Sequence, residues 1–375
     1  MERKLKIIFI SVFMAIICLP VCVGAFVGAD IEALHREPTP LPTFRGINYL
    51  CDYEDFISDR LAFKGEMIEA ANAFNILLLK DNRGSDILYG DQGYFFYAQD
   101  YTRQDMLGER ILTQEELAQI ADKQISTADF LAEKGIKYLI VIVPDKQSVY
   151  SEFVPYGMYR QSDNRVKDQV VRLLRDNGNI EILDLTEAFR NEKANQPLYL
   201  KTDGHWNYNG SFLAYQEITK KLRTMGFQNV PLVERDAYEI IRQENHPAGN
   251  LVDILKLTQY VTEENSFQYT KKNIDIVEAQ IEGYHDPSIY PIEAGYGMRA
   301  YEKDDKTLPK AVILKDSFGG VPGGNFGDVE FLAEDFSRSV FFSTSAVDFS
   351  IIETENPDIV IVQVAEYLLS SRLAL

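Results

Sequence analysis

The sequence predicts a three-layer α/β/α sandwich with a mainly parallel sheet, placed after an N-terminal membrane segment. Three observations predict it. Apolar runs alternate with helical patterns, the runs are continuous as in strands buried on both faces, and the helical patterns carry start and stop signals. Thr113-x-x-Glu116 is a capping box; Leu117, Ile120, Ala121, Ala128 and Leu131 follow at helical spacing until Gly135 closes the helix. Tyr138 to Val143 is then the first buried strand. A second helix presents Val166, Val170 and Leu173 on one face and ends at Gly178, and Ile180 to Leu185 is the next strand. Phe212 to Leu222 is helical again, and Ala311 to Leu314, Val340 to Ser343 and Ile359 to Val364 are three more short strands. Ahead of this body, an amphipathic helix is expected around Asp52 to Leu78, and a hairpin over Leu88 to Tyr97 with Gly90 and Gly93 at its turn.

The chain thus divides into a membrane anchor or signal peptide over 1–27, a linker and N-terminal extension packed on the core over 28–110, and the α/β domain over 111–375. Arg3, Lys4 and Lys6 precede an uncharged apolar run from Ile7 to Val27, and Asp30 and Glu32 follow it. At ~1.5 Å per residue such a helix covers the roughly 30 Å core of a bilayer. Basic residues before and acidic ones after place the body outside the cytoplasm. The length favours an uncleaved anchor; a signal peptide cleaved near Val23-Gly24-Ala25 is the alternative, and either exports the body. Residues 28 to about 45, with Pro38, Pro40 and Pro42, read as an extended linker. Cys18 and Cys22 lie in the apolar run, so Cys51 is alone in the body and no internal disulfide supports it.

A net charge of −19 argues against a nucleic-acid partner, which needs a basic surface. A strongly polyanionic substrate would need a local basic groove that composition does not display. The four histidines are His35, His205, His246 and His285, and only His205 has an informative setting: Lys201-Thr-Asp-Gly-His-Trp-Asn-Tyr-Asn-Gly210, just before a helix. In extended chain, residues i and i+2 point the same way, so Asp203 can hold one imidazole nitrogen of His205 while the other takes a proton. Taken alone, Asp-x-His reads first as a surface pair with Asp203 as a local cap. Ser317, in Lys315-Asp-Ser-Phe-Gly-Gly320, follows a buried strand at the end where open α/β sheets bind ligands. Its hydroxyl suits a nucleophile, and backbone N–H groups beside it suit a developing oxyanion; by itself, Ser317 reads first as a helix cap, with Gly319-Gly320 as a loop. A metal site from Asp203, His205 and Asp316 lacks a second histidine at ligand spacing, and Gly319 to Gly324 lacks the lysine of a phosphate loop. Neither a metal nor a cofactor is expected.

Together these motifs resemble the alginate O-acetyltransferase AlgJ/AlgX-type branch of the SGNH-hydrolase-like superfamily. The residues that carry the resemblance are Asp203-Gly-His-Trp-Asn207 with Gly210, Lys315-Asp-Ser-Phe318, Val143-Pro-Asp-Lys146, the Tyr89 to Phe96 hairpin and the close from Asn356 to Glu366. The resemblance implies an SGNH-hydrolase-like fold and an extracytoplasmic enzyme that transfers acetyl to polysaccharide hydroxyls. It implies Ser317 as nucleophile, His205 as base and Asp203 as its orienter, with acetyl supplied by a multispanning membrane acyltransferase. Lys315 stands where the family usually has arginine, and Gly204 where it usually has threonine. The backbone N–H groups of Ser317 and Gly319 are the oxyanion candidates; Trp206, Lys315 and Arg338 are the candidate substrate contacts. An esterase using the same three residues, or a non-catalytic scaffold, are the competing readings.

Overall fold

The structure, a computed structural model, describes residues 2–27, 39–43, 49–82, 84–271, 275–279, 281, 298–320, 327–343 and 347–375. Most of the expected linker, His35, His285 and residues 321–324 of the glycine loop lie outside the described residues. The chain forms two units, Met1–Asp81 with Leu255–Leu257 and Asn82–Ile254 with Thr258–Leu375. The larger unit begins at Asn82, so the stretch from 82 to 110 belongs with the α/β body.

In the smaller unit, α1 (Glu2–Val27) includes a 24-residue apolar helix, Arg3–Phe26, long enough to cross a membrane. Its side chains are almost all exposed, as suits a helix whose solvent is lipid. The single helix expected over 52–78 is instead two, α2 (Tyr49–Asp59) and α3 (Lys64–Asn72), with a wider helical turn over Ala73–Leu78. Phe63, at φ 60, breaks the run. Periodicity alone cannot show such a break, because the two halves keep similar composition.

In the larger unit, β1 (Ile87–Tyr89) and β2 (Phe95–Tyr97) form the expected hairpin, paired antiparallel. Thr113 caps α4 (Gln114–Glu133), with the reciprocal bonds Glu116 N–H to Thr113 Oγ1 (3.1 Å) and Thr113 N–H to Glu116 Oε2 (2.7 Å). There follow β3 (Lys137–Val143), α5 (Val166–Leu174), β4 (Glu181–Asp184), α6 (Thr186–Glu192) and α7 (Tyr208–Thr224). The segment the sequence left unassigned holds β5 (Tyr238–Arg242), β6 (Phe267–Lys271), β7 (Ile276–Ala279) and β8 (Arg299–Lys303). The close is β9 (Lys310–Leu314), β10 (Arg338–Phe342), α8 (Phe349–Glu355) and β11 (Ile359–Ala365).

The main sheet has seven strands in the order β4-β3-β11-β9-β10-β8-β7. The first five are parallel, and β8 and β7 extend it antiparallel. Alternate residues of the central strands feed two cores. Tyr138, Ile140, Val312, Val360 and Val362 meet Ile120 and Leu131 of α4, Val170 of α5 and Ile351 of α8. Leu139, Val141, Ile313 and Ile361 meet Phe189 of α6 and Phe212, Tyr215 and Ile218 of α7. Each fully buried side chain of this kind contributes roughly 1.5–3 kcal/mol. A continuous apolar run was therefore a physical requirement of a strand covered on both sides. The fold is an α/β sandwich with helices on both faces of a mostly parallel sheet, and the parallel strands bring their carboxyl ends to one edge.

Candidate active site

The turn after β9 is pinned at that edge. Asp316 caps a single helical turn, Ser317–Gly319, by accepting the Phe318 N–H at 2.9 Å, and its other oxygen accepts the Ala365 N–H at the end of β11 at 2.6 Å. Burial pushes the Asp316 carboxyl up, opposed by these two donors. Lys315 is buried and donates to Gly320 O at 2.8 Å and Ser343 Oγ at 3.4 Å. It braces the Ser317 turn from behind, with its ammonium bonded inside the protein, so the ammonium serves a structural end.

The loop between α6 and α7 is held just as firmly. Tyr199 and Trp206 form an antiparallel bridge, and Leu200 N–H donates to His205 O at 3.2 Å. Two buried charges organise the loop from opposite sides. The Lys146 ammonium donates to Leu200 O (2.9 Å), Lys201 O (3.1 Å) and Asp203 O (2.6 Å). The Glu263 carboxylate accepts from Lys201 N–H (3.0 Å), Thr202 N–H (2.9 Å) and the Thr202 hydroxyl (2.5 Å). Carbonyls thus face a cation and N–H groups an anion, the pairing that offsets the cost of burying both. Burial pushes Lys146 down to about 7, opposed by the charges of Glu263 and Asp203.

This loop and the Ser317 turn converge. His205 Nδ1 lies 2.6 Å from Asp203 Oδ1, and Nε2 lies 2.8 Å from Ser317 Oγ. With Nδ1–H donated to the carboxylate, Nε2 presents its lone pair to the serine hydroxyl. Asp203 also accepts His205 N–H at 3.0 Å and, on its second oxygen, Asn250 N–H at 2.9 Å. Burial opposes the Asp203 charge, yet the hydrogen bond and charge of His205, with the Asn250 and His205 N–H groups, hold its carboxyl down at about 2. Asn250 accepts the Gly204 N–H at 3.1 Å, closing the loop. Gly249 is required here by contact: a Cβ would stand 2.4 Å from Asp203 Cβ and 2.6 Å from its Oδ2.

A linkage prediction follows. The folded carboxyl lies below its ordinary value, so its charge stabilises the fold above about pH 4, and that contribution is lost as pH falls through about 2. The shift corresponds to about 2 kcal/mol. Denaturant melts of the parent and Asp203→Asn between pH 2 and 6 should show a shallower acid decline in the variant; parallel acid branches would contradict this.

Three sequence expectations meet different surroundings. Trp206 is fully buried, stacked on Phe189 at 5.9 Å and edge-on to Phe318 at 5.3 Å, so it packs the core and touches no solvent-borne sugar. Arg338 begins β10, opposite Lys310 at the start of β9, and pairs with Glu355 (2.6 Å) and Glu302 (2.8 Å). It therefore lies at the amino end of the sheet, away from Ser317. The Gly319 N–H donates to Asp316 O at 3.2 Å and is already used, whereas the Ser317 N–H has no acceptor among the described residues. Lys146, Glu263, Gly249 and Asn250 were not among the expected site residues; their partners are separated by 46 or more positions in the chain.

A cleft of ≈ 210 Å³ opens over His205, lined by Tyr97, Gln147, Asn250, Phe318 and Tyr367 among others. The arrangement can activate a serine hydroxyl, accept its proton and admit a small acyl group from solvent.

The likenesses to known proteins agree with this architecture. Two structures of Bacillus cereus PatB1 superimpose on the chain. One has a TM-score of 0.57 at 18% identity, covering 77% of this chain and 98% of PatB1; the other, with a sulfonyl adduct, has 0.58 at 19%, covering 78% and 99%. The O-acetyltransferase domain of Pseudomonas putida AlgJ aligns with a TM-score of 0.48 at 16% identity, over 76% of this chain and 92% of that one. No curated protein sequence matches the chain. A family model described as SGNH hydrolase-like domain, acetyltransferase AlgX, matches residues 87–286, more than half of the chain and including Asp203 and His205. The chain belongs to this SGNH hydrolase-like AlgX acetyltransferase family.

Proposed function

We propose that this protein is an extracytoplasmic O-acetyltransferase that moves acetyl to hydroxyls of an exported or cell-surface polysaccharide. The observation that carries the reading is the hydrogen-bonded series Ser317–His205–Asp203 at the mouth of the cleft, in a chain of an acetyltransferase family. In the first half-reaction Ser317 Oγ attacks the acyl carbonyl carbon of the donor while His205 Nε2 takes the hydroxyl proton. The Ser317 N–H is the available donor to the developing oxyanion. Collapse breaks the bond to the donor's leaving group, which takes the proton from His205, and leaves acetyl-Ser317. In the second half, His205 removes the proton of a sugar hydroxyl as its oxygen attacks the acetyl carbon. The ester bond to Ser317 then breaks and the proton returns to Oγ. Asp203 keeps the imidazole in the correct tautomer and stabilises the imidazolium in both halves.

The apolar α1 supports a role at the membrane surface, with the body on the far side from the cytoplasm and acetyl delivered by a multispanning acyltransferase. The test is product analysis: purified enzyme, an activated acetyl ester and an oligosaccharide, with ester products read by mass spectrometry. Acceptor-dependent O-acetyl sugar is the expected result. Release of acetate to water alone, unchanged by any acceptor, would make the protein an esterase with the same machinery.

A further inference from the structure

We infer that the acceptor served by this cleft is an uncharged glycan, held by aromatic faces and side-chain amides, and not a uronate or other polyanionic polymer. This rests on the acetyl-transfer reading and narrows its substrate class. The argument is a charge accounting of the surfaces beside Ser317. Among the described residues lining the cleft, Lys146 is the one cation; Arg372 is not part of the lining, and its charge reaches Asp316 and Tyr367 from outside it. Its ammonium is buried, and its three N–H bonds are already directed to Leu200 O, Lys201 O and Asp203 O. None remains for a ligand. The acid that lines the cleft, Asp145, is pushed well up by burial and by the neighbouring Glu366, so it adds no attraction for an anion in either protonation state. Carboxylates are ordinarily held by arginine forks or free ammonium groups, and bringing one into a site without them leaves a charge without its water. Arg338, a candidate substrate contact in the sequence, is bound to Glu302 and Glu355 at the other end of the sheet. The −19 charge of the whole chain adds long-range repulsion to any polyanion.

What the cleft does present suits a neutral sugar. Tyr97 and Tyr367 stand with ring centroids 5.6 Å apart on its wall, and Tyr367 is 38% exposed. Such rings offer faces to the C–H surface of a pyranose and hydroxyls at their rims. Gln147 and Asn250 bring amides to the same space: Gln147 donates to Asp145 Oδ2 at 3.1 Å, and Asn250 uses its oxygen on Gly204 N–H, which leaves its NH₂ for a ligand hydroxyl. Neutral donors and acceptors of this kind read hydroxyl position and are indifferent to net charge.

The experiment compares acceptors on the parent full-length protein in detergent, with p-nitrophenyl acetate as donor. One arm uses neutral β-linked oligomers of glucose, mannose and N-acetylglucosamine; the other uses oligomers of mannuronate and glucuronate of the same length. O-acetyl product is read by mass spectrometry at low and at moderate salt, and Ser317→Ala is the blank in both. The inference expects at least one neutral series to be acetylated tenfold or more faster than either uronate series, with salt narrowing the gap without closing it. Uronate acetylated as fast as, or faster than, every neutral oligomer would overturn it. If neither class is acetylated while Ser317-dependent release of nitrophenol persists, the transfer reading itself fails and the acceptor inference falls with it. Those two failures are told apart by the presence or absence of acetylated uronate.

Discussion

Ser317→Ala should abolish acetyl transfer and leave the fold intact. Among the described residues, the Ser317 hydroxyl is the covalent acceptor that lies against His205 Nε2, 2.8 Å away. Removing a nucleophile that works as a unit with its base costs several orders of magnitude in rate, on the order of 10³–10⁶. Stability should change by about 1 kcal/mol or less, since one hydrogen bond at an open cleft is lost and no apolar contact goes with it. The measurement is nitrophenyl acetate turnover beside a denaturant melt. His205→Ala should be about as damaging to turnover, and Asp203→Asn somewhat less, because the amide keeps the shape of the orienter and loses its charge. A Ser317→Ala protein as active as its parent would move the nucleophile elsewhere.

The second large effect is expected at a residue that touches no reacting atom. Lys146→Met should destabilise the protein by about 3–5 kcal/mol and collapse activity with it, because the substitution strands two carbonyls and removes the buried partner of nearby Glu263 and Asp203. Leu200 O and Asp203 O depend on the Lys146 ammonium, whereas Lys201 O also accepts the Phe95 N–H at 2.8 Å. Arginine should not rescue, since a planar fork cannot reproduce three converging donors from one nitrogen. Denaturant melts read the stability. A Lys146→Met protein as stable as the parent would show that the loop carrying Asp203 and His205 is held by its own turn and by Glu263 alone.

Much of the site was legible because two of its relations are local. Asp203 and His205 are two positions apart, and a bend over 201–205 in which Asp203 accepts the His205 N–H at 3.0 Å brings their side chains together, while Trp206 turns the other way, into the core against Phe189. That is why reading Trp206 as a sugar contact failed: beside a histidine that faces the cleft, it faces away. Ser317 was legible because open α/β sheets keep their ligands at the carboxyl ends of the strands. Arg338 was misplaced by the same rule left unapplied, since it begins its strand and a parallel neighbour carries it to the opposite edge. Gly319 offered an N–H in sequence, but closing the turn after Asp316 consumes it.

The rest was hidden by distance along the chain. Glu263 and Asn250 meet the His205 loop across 61 and 46 positions, and nothing in their own neighbourhoods marks them. A lysine after Val143-Pro-Asp was visible, but that its ammonium would be enclosed by three carbonyls is a property of the packed fold. The antiparallel strands β7 and β8 were missed because their sequences, Ile276–Ala279 and Arg299–Lys303, are short and half polar, as is common at and beside a sheet edge. The central strands carried a stronger signal because both faces must be apolar.

The central claim is that acetyl passes through Ser317, and trapping that intermediate tests it most directly. The enzyme is mixed rapidly with an activated acetyl ester, quenched in acid, digested and mapped by mass spectrometry. The account predicts one acetyl group, on the peptide containing Ser317, absent from Ser317→Ala and discharged on addition of a competent sugar acceptor. Acetyl found on another residue at the rate of turnover, or turnover that proceeds with Ser317 never acetylated, would contradict it.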